Sequence, residues 1–249
     1  MAKSGAVMIG ISEDPTMWVV ERLALKAAAC RANILLEGES GVGKAFIARQ
    51  IHQASSVIRK GFFTLFCLPG SDSRADAYSL ADDLKNRHDK YGTIYLRGVD
   101  LLSGISQREL LGYLDERERE FEAYPLTRAR YARLIFSSQK NLRLEIERGY
   151  FLRQLYLRVS VVTIEVPPLR QRETDIVSLA NHFLNLYAHR ECKTIRGMSA
   201  DAQHLLRHLS WEGNIHELKN TMNHAVVMAD DGVVLSAGIL RGVLAQAYG

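Results

Sequence analysis

The chain is poor in the residues that mark the specialised protein classes. It has three cysteines and five prolines in 249 residues, and Cys30, Cys67 and Cys192 stand far apart. They make neither a disulfide framework nor a zinc spacing, so buried free thiols are expected. No apolar run approaches the roughly 18 residues needed to cross a bilayer. Met1 to Met8 holds one lysine and no apolar core, so no signal peptide is expected there. An excess of one charge is also lacking: 32 Lys and Arg stand against 28 Asp and Glu. Residues 1–100 carry 13 basic and 11 acidic side chains and residues 101–249 carry 19 and 17, so neither part is a basic arm. Nucleic-acid binding is permitted by that balance and not indicated by it.

What is present suits a packed globular protein. The apolar fraction of 47% excludes disordered, collagen-like and low-complexity chains. The length suits one large domain, or a large one with a small one. A soluble, cytoplasmic chain without a membrane partner is the expectation. Short apolar runs predict strands at Asn33–Glu37, Phe62–Leu68, Thr93–Leu96, Arg133–Ser137 and Val161–Val166. Helical spacing predicts helices at Met17–Ala29, Phe46–His52 and Gln107–Arg119 between and before them. That alternation predicts an α/β fold with a parallel sheet covered by helices. Pro167 and Pro168 break the rhythm. After them Asp175–His189, Ala200–Leu209, Ile215–Ala229 and Ala237–Ala247 read as amphipathic helices. The division expected is therefore 1–168, α/β and nucleotide-binding, and 169–249, a small all-α lid.

The informative motif is Gly38-Glu39-Ser40-Gly41-Val42-Gly43-Lys44, which follows a predicted strand and opens a helix. That is the context a phosphate-binding loop requires. The glycines let successive backbone N–H groups turn toward phosphate oxygens, Lys44 supplies a point charge, and the helix presents its positive end. Ala45 stands where many such loops place a hydroxyl for magnesium. ATP or ADP is the expected ligand, and a magnesium site is not established by these residues. Hydrolysis needs a strand that ends in carboxylates able to hold magnesium and polarise water. The candidate strand, Gly92 to Leu96, runs instead into Arg97-Gly98-Val99-Asp100. A cation and a glycine occupy the acidic positions, and Asp100 comes three residues late.

The runs GESGVGKAFIARQIHQAS, GTIYL, VPPLRQRETDI and WEGNIHELKN resemble the AAA+ domain of the sigma-54-dependent transcription activators, over about Met8 to Leu240. The resemblance implies a P-loop AAA+ fold, ATP sites shared between subunits of a ring, and remodelling of RNA polymerase through a GAFTGA loop. Against the family pattern, Arg97 and Gly98 replace the Walker B acids and Phe66 replaces a switch asparagine. Gln139 stands at the sensor asparagine. Leu152 stands at the first of two trans-acting arginines, Arg158 keeps the second, and His216 stands at the sensor arginine of the lid. No GAFTGA is present, and the stretch from Cys67 to Gly92 is too short to insert it. Asp72 to Asp89 is expected to be a plain helix with turns.

These departures imply a hydrolysis-defective member acting by oligomerisation or ligand sensing, as a homo-oligomer or in mixed rings with related regulators. A working ATPase using Asp100 and a nucleotide-free scaffold are the alternatives. DNA contact is expected only through a domain outside these residues. The base and ribose are expected near Ile9, Ile11 and the lid. Arg97 either holds a nucleotide or cyclic dinucleotide in place of magnesium, or pairs with a surface acid. Arg170 and Arg172 either face a neighbour's nucleotide or start the lid in solvent. His204 and His208 share a metal-capable spacing without a third ligand and are expected to be surface residues. Ser40 lacks the setting of a nucleophile elbow. Trp211 is expected to pack the lid, and the charged run Asp115 to Glu120 to be a solvated helix end.

Overall fold

The computed structural model describes residues 12–56, 60–68, 79–129 and 131–248. Compactness divides them into two units. The first comprises Val20–Gly38 and Lys44–Val166; the second comprises residues 12–19, Glu39–Gly43 and residues 167–248. Ile9 and Ile11 lie outside the described residues, as does the part of Asp72–Asp89 before Ser79.

In the first unit five strands form one sheet: β1 (Ile34–Glu37), β2 (Gly61–Phe66), β3 (Tyr91–Arg97), β4 (Arg133–Ser138) and β5 (Val162–Glu165). Their order is β2-β3-β4-β1-β5 and every pairing is parallel. The α/β class with a parallel sheet flanked by helices is thus the observed one. All of β1 and β4 is buried, as strands covered on both faces must be, with the apolar runs Ile34–Leu36 and Leu134–Phe136 at their centres and Glu37, Arg133, Ser137 and Ser138 as buried polar ends. Helices α1 (Pro15–Ala29), α2 (Lys44–Gln53), α3 (Leu80–Arg87), α4 (Gly104–Ala123), α5 (Leu142–Glu147) and α6 (Arg153–Val159) accompany the strands. Ser79, Ser103 and Asn141 cap α3, α4 and α5 by accepting from backbone N–H groups of the first turn. The core gathers Leu35, Ile94, Leu96, Leu110, Phe136 and Leu155. Each such side chain contributes about 2 kcal/mol by leaving water, so packing rather than propensity fixes the sheet.

The second unit contains α7 (Glu173–Arg190), α8 (Ala200–Arg207), α9 (Asn214–Met228) and α10 (Ala237–Tyr248). They pack around Trp211, which is 1% exposed and donates from Nε1 to the carbonyl of Leu206 at 2.8 Å.

Several expectations need correction. The run Asp115 to Glu120 is solvated at Glu116, Glu118 and Arg119, but it is not the helix end, since α4 continues to Ala123, and Arg117 is buried within it. Arg117 donates to the carbonyl of Ala132 and lies over the rings of Phe121 and Tyr131, so its stem and head both pack. Of the cysteines only Cys67 is buried, and burial pushes its thiol up to about 12; Cys30 and Cys192 are exposed. The short helices α5 and α6 fall in a stretch that sequence periodicity leaves unassigned. Among the described residues no helix is long and apolar enough to cross a membrane.

Candidate functional site

The phosphate loop follows β1 and runs into α2, whose first residue is Lys44. Gly38, Gly41 and Gly43 have φ of 148°, 78° and 105°, a region that side chains with a Cβ rarely adopt. Such conformations are the kind that lets successive N–H groups of a loop turn toward an anion. Lys44 is buried, and its Nζ donates to the carbonyl of Gly38. Ala45 is exposed and brings no side-chain oxygen.

Within the second unit, the loop segment Glu39–Gly43 is held by the residues after Pro168. Asn214, fully buried at φ 55°, accepts from the Leu169 N–H at 2.7 Å and donates to Glu39 Oε2 at 3.1 Å and to the Ser40 carbonyl at 2.9 Å. The Ile215 N–H donates to the Gly41 carbonyl at 3.1 Å. A methyl on Gly41 would stand 2.2 Å from the Gly213 carbonyl oxygen and 3.3 Å from His216 Cβ. Arg170 forms a two-bond fork to Glu39, at 2.8 and 2.5 Å. Arg172 is 2% exposed and donates to the Val42 carbonyl at 3.1 Å. The expectation of a solvated lid start is therefore wrong for Arg172. Its charge faces Asp175 at 3.7 Å, and burial pulls its pKa down.

Asp175 in turn accepts from Ser12 Oγ and from the N–H groups of Glu13 and Asp14. Asn214 was not foreseen as a site residue. Its signal was an asparagine directly after a glycine at a helix start, a residue tolerant of left-handed backbone. His216 is exposed and lines a cleft of about 600 Å³ with Leu209, Trp211, Glu217 and Leu244. His204 and His208 stack with ring centroids 4.2 Å apart on the exposed surface of α8.

The other half of the expected machinery lies at the ends of β2, β3 and β4. Phe66 and Arg97 are register partners on adjacent strands. The Arg97 guanidinium lies over the Phe66 ring, 5.6 Å from its centroid, and among the described residues no carboxylate pairs with it. The expectation of a surface acid as its partner is corrected: the partner is an aromatic face. Gly98 has φ 82° and its N–H donates to the Ser137 carbonyl. Asp100 spends Oδ1 on the backbone N–H of Gln139 at 3.1 Å. Leu152 presents its N–H to Gln107 Oε1. Arg158 pairs with Asp115 at 2.8 Å within the same chain.

Glu37, which sequence reading passed over, ends β1 at 7% exposure. Burial raises its pKa, helped by Glu165 beside it, while its bond from the Leu142 N–H opposes the rise.

The groups present suit a polyphosphate: a glycine-built cradle and a lysine at a helix start. They do not suit magnesium. Ala45, Arg97 and Gly98 offer no side-chain oxygen where hard-cation ligands would be needed, and among the described residues no three His, Cys, Asp or Glu side chains converge.

Residues 16–169 match the model of the Sigma-54 interaction domain and residues 170–247 that of an AAA+ ATPase lid domain. The chain belongs to the sigma-54 interaction domain family of AAA+ proteins. It is 35% identical over 233 residues to the transcriptional regulatory protein ZraR of Escherichia coli K12, covering 88% of this chain and 52% of that protein. It is 32% identical over 240 residues to the nitrogen fixation protein AnfA of Azotobacter vinelandii, covering 91% and 45%. The chain thus spans about half the length of the curated relatives it matches. Among solved structures, NtrX of Brucella abortus in complex with ATP shares the fold, with a TM-score of 0.75 at 23% identity, covering 96% of this chain and 58% of that one.

Proposed function

We propose that this AAA+ domain belongs to a transcriptional regulator, binds ATP or ADP in its phosphate loop, and does not turn the nucleotide over. It acts through oligomerisation or ligand sensing rather than as a motor. One observation carries the reading: the positions that should polarise water hold a guanidinium on a phenylalanine ring, beside a glycine in left-handed backbone. Losing one such catalytic group commonly costs a few orders of magnitude in rate. NtrX, which shares the fold, binds both ATP and ADP in crystals, which favours retention of the ligand. Lys44 and the N–H groups of Gly41 and Gly43 cradle the phosphates in this reading, and Arg158, Arg170 and His216 are the further residues proposed for nucleotide binding. RNA polymerase and related regulators in mixed rings are the partners proposed.

The test is a titration of Mg-ATP into the chain, with Lys44→Ala beside it and phosphate release followed. A saturable heat that the variant loses, with phosphate release at background, supports the proposal. Turnover that Lys44→Ala abolishes returns the chain to the motor class. Asp100, the acid nearest the end of β3, is then the residue to test, and Asp100→Asn should remove that turnover. No heat from either protein leaves an interaction scaffold.

A further inference from the structure

The register of the sheet places Arg97 more closely than its sequence position does. Arg97 pairs with Ser137 of β4, and Ser137 pairs with Leu36 of β1. Arg97 therefore stands two strand spacings, about 10 Å, from the strand that enters the phosphate loop. Side chains alternate along a strand, so Thr93, Tyr95 and Arg97 share one face. That face is the one α2 covers. His52 of α2 contacts Thr93 Oγ1 at 2.9 Å and sets its ring edge-on to Phe62, 5.5 Å away. Arg49 of α2 lies over the Phe62 ring at 5.0 Å, and Tyr95 donates to Ser137 Oγ at 2.9 Å. Arg97 thus rises at the carboxyl ends of the strands, on the face where Lys44 opens α2.

Its guanidinium is also prepared for an anion. The centroid of the Phe66 ring lies 5.6 Å from its guanidinium carbon, and Arg97 is exposed with no competing carboxylate among the described residues. A planar guanidinium matches phosphate oxygens two at a time. The donor set does not suit magnesium, whereas it supplies two fixed cations, Lys44 and Arg97, at one end of one sheet face. We infer that Arg97, positioned by Phe66, takes the place of magnesium and lets the chain bind a metal-free nucleoside polyphosphate. This inference rests on the nucleotide-binding part of the proposed function.

The experiment is a calorimetric titration of ATP into the chain in excess EDTA and, separately, in excess magnesium. Wild type should bind in EDTA within about threefold of its affinity in magnesium. Arg97→Ala should weaken the EDTA affinity about tenfold or more, the size of one charge-assisted hydrogen bond. Arg97→Lys should recover part of that loss, and Phe66→Ala should show an intermediate one. Thermal midpoints of these exposed-site variants should match wild type, which separates lost binding from lost folding. The inference fails if magnesium tightens wild-type binding tenfold, or if Arg97→Ala binds in EDTA as wild type does. Absence of binding under both conditions removes the nucleotide reading along with it. Turnover in magnesium beside tight binding in EDTA removes only the hydrolysis-defective reading and leaves Arg97 its role.

Discussion

Arg172 reaches the phosphate loop across 130 positions of sequence, donating from Nη2 to the main-chain carbonyl of Val42. The same guanidinium faces Asp175, whose carboxylate also takes hydrogen bonds from residues 12 to 14. One buried cation thereby joins the loop, the first turn of α7 and the segment that precedes α1, all within the second unit. Its Nε has no partner there, so the arrangement leaves one donor unsatisfied.

Removal of that cation should be costly. Arg172→Met leaves Asp175, at 1% exposure, as a buried charge without its counter-ion. Breaking a buried pair from one side typically costs about 3 kcal/mol or more. Urea unfolding should show a loss of that order. A loss under about 1 kcal/mol would mean that the backbone donors to Asp175 suffice without Arg172.

Gly41 and Gly232 form a natural control pair, since their φ values are 78° and 79°. Alanine at either position carries the same left-handed penalty of about 1–2 kcal/mol. At Gly232 the added methyl meets nothing within 4 Å, whereas at Gly41 it meets the Gly213 carbonyl at 2.2 Å. Gly41→Ala should therefore be the more destabilising by about 2 kcal/mol and should also lose nucleotide binding. Equal unfolding midpoints for the two variants would contradict the close approach.

Restoring acids at the end of β3 should not restore turnover. Gly98 sits at φ 82°, and its N–H is committed to the Ser137 carbonyl. Gly98→Glu should cost about 1–2 kcal/mol for the left-handed backbone. The double change Arg97→Asp with Gly98→Glu should still release phosphate at background. Ordinary ATPase rates from the double variant would show that two substitutions are all that separate this chain from a motor.

His52 gives a pH prediction. Its ring is buried against Thr93, and burial pulls its pKa below the ordinary 6.5, with the charges of Arg133 and Arg49 acting in the same direction. Above pH 6.5 the ring is neutral in both folded and unfolded chains and pH changes nothing through it. As pH falls below that value the unfolded chain takes up the proton first, so stability declines until the folded ring titrates too. Glu37 acts oppositely, since its raised pKa favours the folded state at low pH. The thermal midpoint of wild type should therefore fall more steeply between pH 6.5 and 5 than that of His52→Gln. Parallel curves would show that His52 does not contribute to the slope.

The phosphate loop was legible because its signal is local: seven consecutive residues carry the glycines and the lysine, and flanking apolar runs give the context. All five strands were legible for the same reason, with ends shifted by one or two residues. Helix α6 was not, because it is seven residues long and lacks a side-chain cap. The charged run of α4 misled because Arg117 looks like its neighbours in sequence, and only Ala132, Phe121 and Tyr131 distinguish it.

What the sequence determined alone is what contiguous residues can specify: a P-loop, an α/β alternation, a helical segment after Pro167-Pro168, and the replacement of acids by Arg97 and Gly98. What the tertiary structure decided is where those replacements lead. Phe66 and Arg97 are 31 positions apart in sequence, yet parallel pairing makes them neighbours and turns two separate departures into one stacked pair. Asn214, Arg170 and Arg172 acquire partners in Glu39–Gly43 only when the chain closes across more than a hundred residues. Hydrogen bonds and ring contacts act over a few ångströms, so their partners are chosen by the fold and not by the order of the chain.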